Sequence, residues 1–290
     1  MKKKILITGT SGYLGYKFLS SVINDQNLFL TDIIRKKNSK LDNLRKKHTN
    51  YKSIHYKNYQ DLKTKLNKKN FDIFINFATF YKNDHNIDDI KKLHESNIFF
   101  PNFVLDNIKN NLKKIINFGT MMEYSNKNYY SPKNLYATTK KAFENIILYY
   151  QKNFSKLKLY NIKIFETFDL DDKRKKIIPE IFRCVKNNEK FKIYFKNLIL
   201  DVILVDQLNL FIKKIIYNKI RPGTFVLSSK NKLNIINLVK KIKKNNKKFN
   251  YNVKNINGNF IFFNKYKNAK TIKFNDNIEK YILKSINENY

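Results

Sequence analysis

The sequence contains one cysteine, no tryptophan and no long apolar run, and two of these absences exclude classes of protein. Cys184 has no partner within the chain, so the chain is not a disulfide-stabilised secreted domain and a reducing compartment is expected. We interpret Cys184 as a buried structural residue rather than a catalytic thiol. No apolar stretch approaches the roughly 18 residues that cross a bilayer, and the run after Met1–Lys4 is too short for a signal peptide. We therefore expect a cytoplasmic protein without membrane insertion.

Acidic residues are scarce as well, since 23 aspartates and glutamates stand against 59 lysines and arginines, which gives a net charge of +36. Such a charge is typical of proteins that bind nucleic acid or anionic surfaces. However, the positive charge is nearly all lysine, is scattered along the whole chain and accompanies abundant asparagine, isoleucine, tyrosine and phenylalanine. Because these residues share AT-rich codons, we interpret the charge as a consequence of base composition. We expect no nucleic-acid partner, although the positive field would attract an anionic nucleotide substrate.

Glycine occurs only six times, and three of the six stand at positions 9, 12 and 15. A buried strand is predicted before this segment and a helix after it, a context that raises the motif above chance. Gly9 permits a tight turn, Gly12 lets a pyrophosphate approach the backbone, and Gly15 permits close packing of the helix on the strand. The helix N-terminus then directs N–H groups at the phosphates. The predicted dinucleotide-binding residues of this segment are Gly9, Ser11, Gly12, Tyr13, Leu14 and Gly15.

Asp32 stands 17 residues after Gly15, at the end of the second predicted strand. A carboxylate at this place accepts hydrogen bonds from the adenosine ribose and repels a 2′-phosphate, which favours NAD. Arg35, Lys36 and Lys37 follow at once and offer positive charge to that same phosphate. The cofactor is therefore NAD or NADP, and the sequence leaves the choice open.

Strand and helix signals alternate, a pattern that indicates a parallel α/β sheet. We predict a Rossmann-like, doubly wound parallel sheet in residues 1–165, with a return segment near 200–230, and a smaller, mainly substrate-binding region in residues 166–290. The predicted strands are Lys4–Thr8, Leu28–Thr31, Asp72–Phe77, Lys114–Phe118, Leu159–Phe165 and Ile199–Val205. The predicted helices are Tyr13–Ile23, Ile87–Lys109 with a bend near Pro101, Asn134–Asn153, Ile177–Asn187, Asp206–Asn218 and Ile235–Asn245. The stretch from Lys240 to Asn257 is interpreted as a solvated helix end and loop, with an interaction tail as the alternative.

Tyr136 and Lys140 lie four residues apart on a predicted helix, so their side chains share one face. An ammonium beside a phenol stabilises the phenolate, and we expect Lys140 to lower the pKa of Tyr136. Thr120 follows a predicted strand and can donate a hydrogen bond to a substrate oxygen. One such pair is weak evidence among 19 tyrosines, but here it follows a nucleotide-binding turn.

Together these motifs resemble the extended short-chain dehydrogenase/reductases of the nucleotide-sugar epimerase/dehydratase superfamily. The glycine motif, the acid after the second strand and the catalytic Ser/Thr, Tyr and Lys of that family match Thr8–Gly15, Asp32, Thr120, Tyr136 and Lys140. Further cofactor positions that the resemblance implies are Arg35, Asp61, Leu62, Phe77, Ala78, Thr79, Asn97, Tyr136 and Lys140. Later segments that resemble the family are Phe168–Arg174, Leu200–Asp206 and Gly223–Ser229. The similarity becomes vague after about residue 245.

Two departures from the family pattern bear on the reaction. Sugar-nucleotide dehydratases have an acid pair directly after the catalytic threonine, where this chain has Met121 and Met122. Neither methionine can move a proton, so 4,6-dehydration is disfavoured. A 3,5-epimerase/reductase, which would have a cysteine near Met122, is disfavoured too. Glu123 lies one position too late, and we interpret it as a loop or strand carboxylate.

The interval of 16 residues from Thr120 to Tyr136 resembles that of the CDP-abequose/CDP-paratose synthase group, as does the segment Asn134–Glu144. This resemblance implies NAD(P)H-dependent reduction of the 4-keto group of a nucleotide-linked deoxysugar, for bacterial surface polysaccharide. Tyr136 would protonate the oxyanion, Thr120 would orient the carbonyl, and Lys140 would tune Tyr136 and bind the nicotinamide ribose. Two alternatives stay open: a nucleotide-sugar 4-epimerase with tightly bound NAD, and a non-catalytic nucleotide- or RNA-binding family member.

The expected partner is a nucleotide-diphosphate sugar. The substrate-binding residues predicted from position are Phe80, Thr120, Met121, Arg174 and Asp201. The resemblance also implies a homodimer. The four histidines show no metal-ligand spacing with acids or cysteine, so no metal is predicted.

Overall fold

The computed structural model describes residues 2–124, 130–195, 197–254, 259–262 and 269–289. The strands are β1 Lys3–Thr8, β2 Leu28–Ile34, β3 Tyr51–His55, β4 Ile73–Asn76, β5 Lys114–Thr120, β6 Lys158–Ile164, β7 Glu166–Phe168, β8 Lys190–Ile193, β9 Asn197–Leu200, β10 Val202–Leu204, β11 Gly223–Ser229, β12 Leu233–Asn234, β13 Asn250–Val253, β14 Asn259–Phe262 and β15 Lys270–Phe274. The helices are α1 Tyr13–Val22, α2 Ser39–Lys47, α3 Tyr59–Asn67, α4 Ile87–His94, α5 Phe100–Ile108, α6 Leu135–Asn153, α7 Ile177–Asn187, α8 Val205–Ile216, α9 Ile235–Asn245 and α10 Ile278–Asn289. Short helical turns add a π turn at Glu95–Phe99 and 3-10 turns at Lys109–Asn111 and Met121–Glu123. Within these described ranges, no helix is both long and apolar enough to span a membrane.

The chain divides into two compact units. The first consists of Met1–Lys163, Asn209–Val226 and Tyr266–Lys270. The second consists of Ile164–Leu208, Leu227–Lys265 and Thr271–Tyr290.

The main sheet has the strand order β15-β11-β6-β5-β4-β1-β2-β3. The pairs β1–β2, β1–β4, β2–β3, β4–β5 and β6–β11 are parallel. Every residue of β5 is buried, as expected for a strand that is covered on both faces. From β1 the strand order runs in two directions, to β2 and β3 on one side and to β4 and β5 on the other. Open α/β sheets bind ligands at such a reversal, outside the carboxyl ends of the strands. The predicted fold class, a Rossmann-like doubly wound sheet, is confirmed.

Apolar side chains fill both faces of this sheet. On one face the strands pack against helices α3, α5 and α6 through a cluster that includes Leu6, Phe74, Ile115, Leu62, Leu66, Val104, Leu105, Phe143 and Ile147. Elsewhere in the first unit, Phe18 of α1 lies 5.5 Å from Phe77 between ring centroids, and Phe77 stacks on Phe118 at 4.4 Å. Burial of each such side chain stabilises the fold by about 1.5–3 kcal/mol, so both packed faces hold the strand ends in place.

The second unit has its own apolar core, formed by α7, α9, α10 and short strands. Its members include Phe168, Ile181, Val185, Leu200, Leu238 and Ile282. Cys184 belongs to this core with 1% of its surface exposed, which confirms its predicted buried, structural position.

Some predicted elements are wrong in detail. The predicted strand Ile199–Val205 is two strands, β9 and β10, because the carboxylate of Asp201 turns away to accept hydrogen bonds from the Ser229 N–H and the Ser228 hydroxyl. By contrast, the predicted helix Ile87–Lys109 has its expected interruption near Pro101, a π turn at Glu95–Phe99 between α4 and α5. The stretch Lys240–Asn257 is not all helix end and loop, since β13 pairs with β8 in it. Residues 255–257 of that stretch lie outside the described residues.

Candidate functional site

The glycine segment forms a tight cradle between β1 and α1. Gly9 has φ +77°, and a Cβ built there would lie 2.5 Å from the backbone nitrogen of Ala78. A Cβ on Gly15 would lie 2.3 Å from the Gly9 carbonyl oxygen, and one on Gly12 would lie 3.2 Å from it. Gly12 is the N-cap of α1 and has no side chain to cap the helix, so the N–H groups of the first turn suit an anion. Ser11 is exposed beside Gly12, while Tyr13 and Leu14 begin the helix half-buried.

Asp32 lies on β2 beside this cradle and is fully buried. Its Oδ2 atom accepts hydrogen bonds from the Thr10 hydroxyl at 2.6 Å and the Tyr51 hydroxyl at 2.7 Å. Its Oδ1 atom is buried and has no hydrogen-bond partner within the described part of the chain. A buried carboxylate oxygen without a donor is costly, and a ribose hydroxyl would satisfy it. The glycine cradle and this oxygen therefore fit a dinucleotide.

Thr10 and Tyr51, the two donors that fix Asp32, were not predicted from the sequence. Thr10 lies inside the glycine motif, so its position was a usable signal. Tyr51 gave no signal, because β3, the strand that carries it, was not predicted. Arg35 follows the end of β2 and is exposed.

The structure places Asp61 and Leu62 in the first turns of α3. Leu62 is fully buried in the apolar core and has no polar side-chain group to offer an adenine. The Asp61 carboxylate accepts a hydrogen bond from the Lys57 N–H and pairs with Lys65, each at 2.9 Å. Both side chains thus have structural contacts, and their adenine role stays a prediction.

Asn97 ties the turn after β4 to helix α6. It is fully buried in the π turn, where its Oδ1 accepts the Phe80 N–H at 2.8 Å and the Thr79 hydroxyl at 3.0 Å. Its Nδ2 donates to the Phe80 carbonyl at 3.0 Å and to the Thr139 hydroxyl at 2.9 Å. π turns are rare and often occur at functional sites. Asn97 therefore holds the turn Phe77–Phe80 in place against the helix that carries Tyr136.

The predicted catalytic residues lie at the ends of two neighbouring elements of the first unit. Thr120 ends β5 and is buried; its hydroxyl oxygen accepts the Met122 N–H at 3.2 Å, which leaves the hydroxyl proton to donate. Asn134 caps α6 by accepting the Ala137 N–H, so that the helix begins just before Tyr136. Lys140 lies one turn further along α6 and is buried.

The acid–base properties of the pair differ from the prediction for the tyrosine. Burial raises the pKa of Tyr136 to about 12, and the nearby charges of Tyr81 and Glu123 add to this, while a hydrogen bond with Thr79 opposes it. The expectation of a lowered pKa for Tyr136 is therefore wrong for the chain by itself, because desolvation of the phenolate dominates; Lys140 is not among the causes of the shift. Burial also lowers the pKa of Lys140 to about 8. Tyr81 packs edge-to-face on Tyr136, with ring centroids 4.9 Å apart.

Glu123 is the common neighbour of the predicted catalytic residues. Its Oε1 accepts the Thr120 backbone N–H at 3.0 Å, and its charge acts on both Tyr136 and Lys140. It is fully buried, so its interpretation as an ordinary loop carboxylate is incomplete. Thr120 and Glu123 form a capping box around the 3-10 turn Met121–Glu123. The pattern Thr-x-x-Glu was the sequence signal for it.

The predicted substrate residues divide between the two units. Phe80, half-buried, and Met121, with 6% of its surface exposed, lie in the first unit with Thr120. Arg174 and Asp201 lie in the second unit.

Both residues of the second unit have partners within it. Arg174 pairs with Asp172 and donates to the Thr167 hydroxyl at 3.0 Å. Asp201 accepts from Lys232 at 2.6 Å. Within the described ranges, no three His, Cys, Asp or Glu side chains are arranged to hold a metal ion.

The model of a family described as the NAD dependent epimerase/dehydratase family matches residues 5–201. The comparison with curated protein sequences gave no match.

Solved structures share the fold. UDP-N-acetylglucosamine 4-epimerase from Methanobrevibacter ruminantium, in complex with UDP-N-acetylmuramic acid, has a TM-score of 0.78 and 19% identity, over 99% of this chain and 98% of that one. UDP-glucuronic acid 4-epimerase from Bacillus cereus, in complex with UDP-glucuronic acid and NAD, has a TM-score of 0.72 and 16% identity, over 99% and 93%. dTDP-glucose 4,6-dehydratase from Bacillus anthracis, in complex with NAD, has a TM-score of 0.70 and 16% identity, over 89% and 87%.

Proposed function

The chain belongs to the NAD dependent epimerase/dehydratase family, and we propose that it is a nucleotide-sugar 4-epimerase. Membership of the family confirms the resemblance drawn from the sequence, and with it an enzyme whose cofactor is NAD or NADP. The reaction, the substrate and the roles of individual residues are the proposal.

One observation argues against dehydration and favours a reaction at C4. The two positions after Thr120, where a dehydratase needs its acid pair, are methionines, and Met121 is buried. The next residue, Glu123, is an acid, but it is fully buried and ion-paired to Lys163. No side chain of the turn is thus suited to remove a proton from a neighbouring sugar carbon, and this favours chemistry at C4 alone.

The sequence motifs favour a 4-ketoreductase, whereas the solved structures favour the alternative, a 4-epimerase. Two of the three solved structures described above are 4-epimerases, and they align with nearly the whole chain. The ketoreductase prediction depended on one interval and one segment, and nothing in the comparisons supports it.

The mechanism follows from the positions of the side chains. The cradle Gly9–Gly15 and Asp32 would hold NAD, which would accept a hydride from C4 and return it. Tyr136 takes the proton of the C4 hydroxyl and returns it after the ketone has turned its other face. The Thr120 hydroxyl donates to the same oxygen and stabilises the negative charge that develops there. Lys140, buried one turn further along α6, would contact the nicotinamide ribose and hold a positive charge near Tyr136.

The neutral form of Tyr136 is its resting form, because burial raises its pKa to about 12. It therefore needs a positive neighbour before it can accept a proton, and we assign this role to Lys140, one turn further along α6. We also propose that the first unit holds the dinucleotide, and that the second unit, which contains Arg174 and Asp201, binds the nucleotide end of the substrate.

The test is to assay the purified chain, without added cofactor, against UDP-glucose, UDP-N-acetylglucosamine and UDP-glucuronic acid, with C4 epimers resolved by NMR. We expect interconversion of at least one pair of epimers, with NAD released on denaturation and no net consumption of NADH. Tyr136→Phe should abolish turnover and retain bound NAD. Consumption of NADPH by a 4-keto sugar, without epimerisation of any sugar, would restore the ketoreductase.

A further inference from the structure

A chain of charged side chains lies buried beneath the candidate site, within the first unit. Lys163 on β6 places its Nζ 2.5 Å from Glu123 Oε2 and 2.5 Å from Glu144 Oε2. Neither Lys163 nor Glu123 has any exposed surface, and Glu144 is nearly as buried. Lys141 pairs with the other oxygen of Glu144 at 2.9 Å and is partly exposed. Two carboxylates and two ammonium groups thus form one compensated network.

The network requires a small residue beside Lys163 and buries charged groups, which is energetically unfavourable. A Cβ on Gly119 would lie 2.5 Å from both the Nζ and the Cδ of Lys163, so a larger residue would force the buried lysine side chain to shift where it crosses β5. Burial of ions is costly, and well-packed apolar residues often stabilise a core as well or better. Stability alone is therefore a weak reason for a lysine and a glutamate at positions without any exposure.

Glu123 connects the network to the site with a different task for each oxygen. Oε2 pairs with Lys163, which compensates the negative charge. Oε1 accepts the backbone N–H of Thr120 at 3.0 Å and so fixes the end of β5, where the threonine hydroxyl is presented. Glu144, on the far side of Lys163, makes no hydrogen bond to Thr120 among the bonds found in the structure.

The charges that act on the lysine and tyrosine of the site come from several elements. Glu123 raises the pKa of Lys140, whereas burial and Lys163 lower it. Glu123 also raises the pKa of Tyr136, in the same direction as burial and Tyr81. Glu144 is not one of the causes of either shift. The carboxylate that holds Thr120 is thus also the one whose charge reaches Lys140 and Tyr136.

We propose that Glu123 is a positioning residue of this site: it fixes the backbone of Thr120 through Oε1, while Oε2 pairs with Lys163. This inference depends on the proposed function only for the catalytic role of Thr120. Lys163 permits the arrangement by compensating a carboxylate that has no access to water.

Three variants separate the two tasks of Glu123 from stability. Glu123→Gln retains an acceptor for the Thr120 N–H and removes the charge, and Glu123→Leu removes both. Glu144→Gln is the matched control, since it also takes a carboxylate from Lys163 without touching Thr120. Each is measured without substrate, by hydrogen exchange at the Thr120 amide and by NMR titration of isotope-labelled lysine, with the Lys140 signal assigned from Lys140→Met.

We expect Glu123→Gln to shift the Lys140 titration to lower pH and to leave exchange at Thr120 unchanged. Glu123→Leu should give the same shift and accelerate exchange at Thr120 by about tenfold, the loss of one hydrogen bond. Glu144→Gln should lower the melting temperature and alter neither readout. If Glu123→Gln does not fold, Glu123→Gln with Lys163→Met removes both charges; Thr120 should stay protected and the acid shift should persist at a smaller size.

Two results would overturn the proposal: wild-type exchange at the Thr120 amide in Glu123→Leu, or equal acceleration of that exchange in Glu144→Gln and Glu123→Leu. In active enzyme, Glu123→Gln should lower kcat and leave NAD affinity unchanged. Because exchange and titration need no substrate, a failure of the proposed epimerase activity leaves these two measurements valid.

Discussion

The glycine cradle offers a prediction in which stability and cofactor binding separate. In Gly15→Ala the new Cβ would lie 2.3 Å from the Gly9 carbonyl oxygen and 2.7 Å from its carbonyl carbon. Both atoms are backbone, so the turn must open. Overpacking of this kind costs about 1–3 kcal/mol, and so short a contact with backbone atoms belongs at the upper end of this range. The better helix propensity of alanine offsets about 1 kcal/mol, which leaves a net cost of about 2 kcal/mol. In Gly12→Ala the closest atom is at 3.2 Å and the φ of −84° suits any residue, so the cost should stay below about 0.5 kcal/mol.

The assay compares melting temperature without cofactor and NAD affinity by calorimetry in both variants. A domain of this size loses roughly 2–4 °C for each kcal/mol. Gly15→Ala should therefore melt several degrees below wild type and bind NAD weakly. Gly12→Ala should melt within about 2 °C of wild type and still lose NAD affinity by at least about tenfold, because its methyl group occupies the approach of the pyrophosphate. Wild-type NAD affinity in Gly12→Ala would contradict the assigned role of Gly12 in pyrophosphate binding. An unchanged melting temperature in Gly15→Ala would contradict the expected backbone clash.

Three further predictions concern the site. Tyr51→Phe removes one of two donors to the buried Asp32 carboxylate, so NAD affinity by calorimetry should fall several-fold and unfolding free energy by about 1–2 kcal/mol; unchanged values would show that Tyr51 does not hold Asp32. Tyr136→Phe should reduce turnover by about 10²-fold or more in a steady-state assay, and substantial residual activity would assign the proton transfer elsewhere. Burial lowers the pKa of Lys140 to about 8, below its value in the unfolded chain. Its ammonium therefore destabilises the folded protein at lower pH, and the penalty fades as the pH rises from about 8 toward 10.5. Lys140→Met should accordingly be more stable to denaturant than wild type near pH 7, by about 1–3 kcal/mol, with a gain that shrinks above pH 8; a gain independent of pH would contradict this sign.

Sequence patterns predicted the structure best where a functional motif also marks the end of a strand or the start of a helix. The glycines of the first turn, Asp32 and the Tyr136–Lys140 pair are short-range patterns, and each lies at the end of a strand or at the start of a helix. The helices α7 and α9 were predicted with their observed bounds, since their apolar periodicity is strong and their ends are marked.

Long-range contacts could not be predicted in the same way. The pairing of Tyr51 with Asp32 depends on the neighbouring position of β3 in the sheet, and the burial of Lys163 depends on the space that Gly119 leaves. A lysine in a strand is read from sequence as a surface residue, yet Lys163 has no exposed surface. The predicted shift in the pKa of Tyr136 was wrong in direction for a related reason. Burial raises this pKa, and burial depends on the whole packed site and not on the four-residue spacing to Lys140.

The central claim, reversible oxidation at C4 by a cofactor that stays bound, is tested most directly by stopped-flow absorbance of the purified protein. The chain, loaded with NAD and freed of excess, is mixed with each of the three UDP-sugars, and the near-ultraviolet band of NADH is followed. We expect a transient or steady-state NADH signal with at least one sugar, dependent on Tyr136 and without release of NADH. Absence of that signal with every UDP-sugar, together with stoichiometric oxidation of added NADPH by a nucleotide-linked 4-keto sugar, would contradict it.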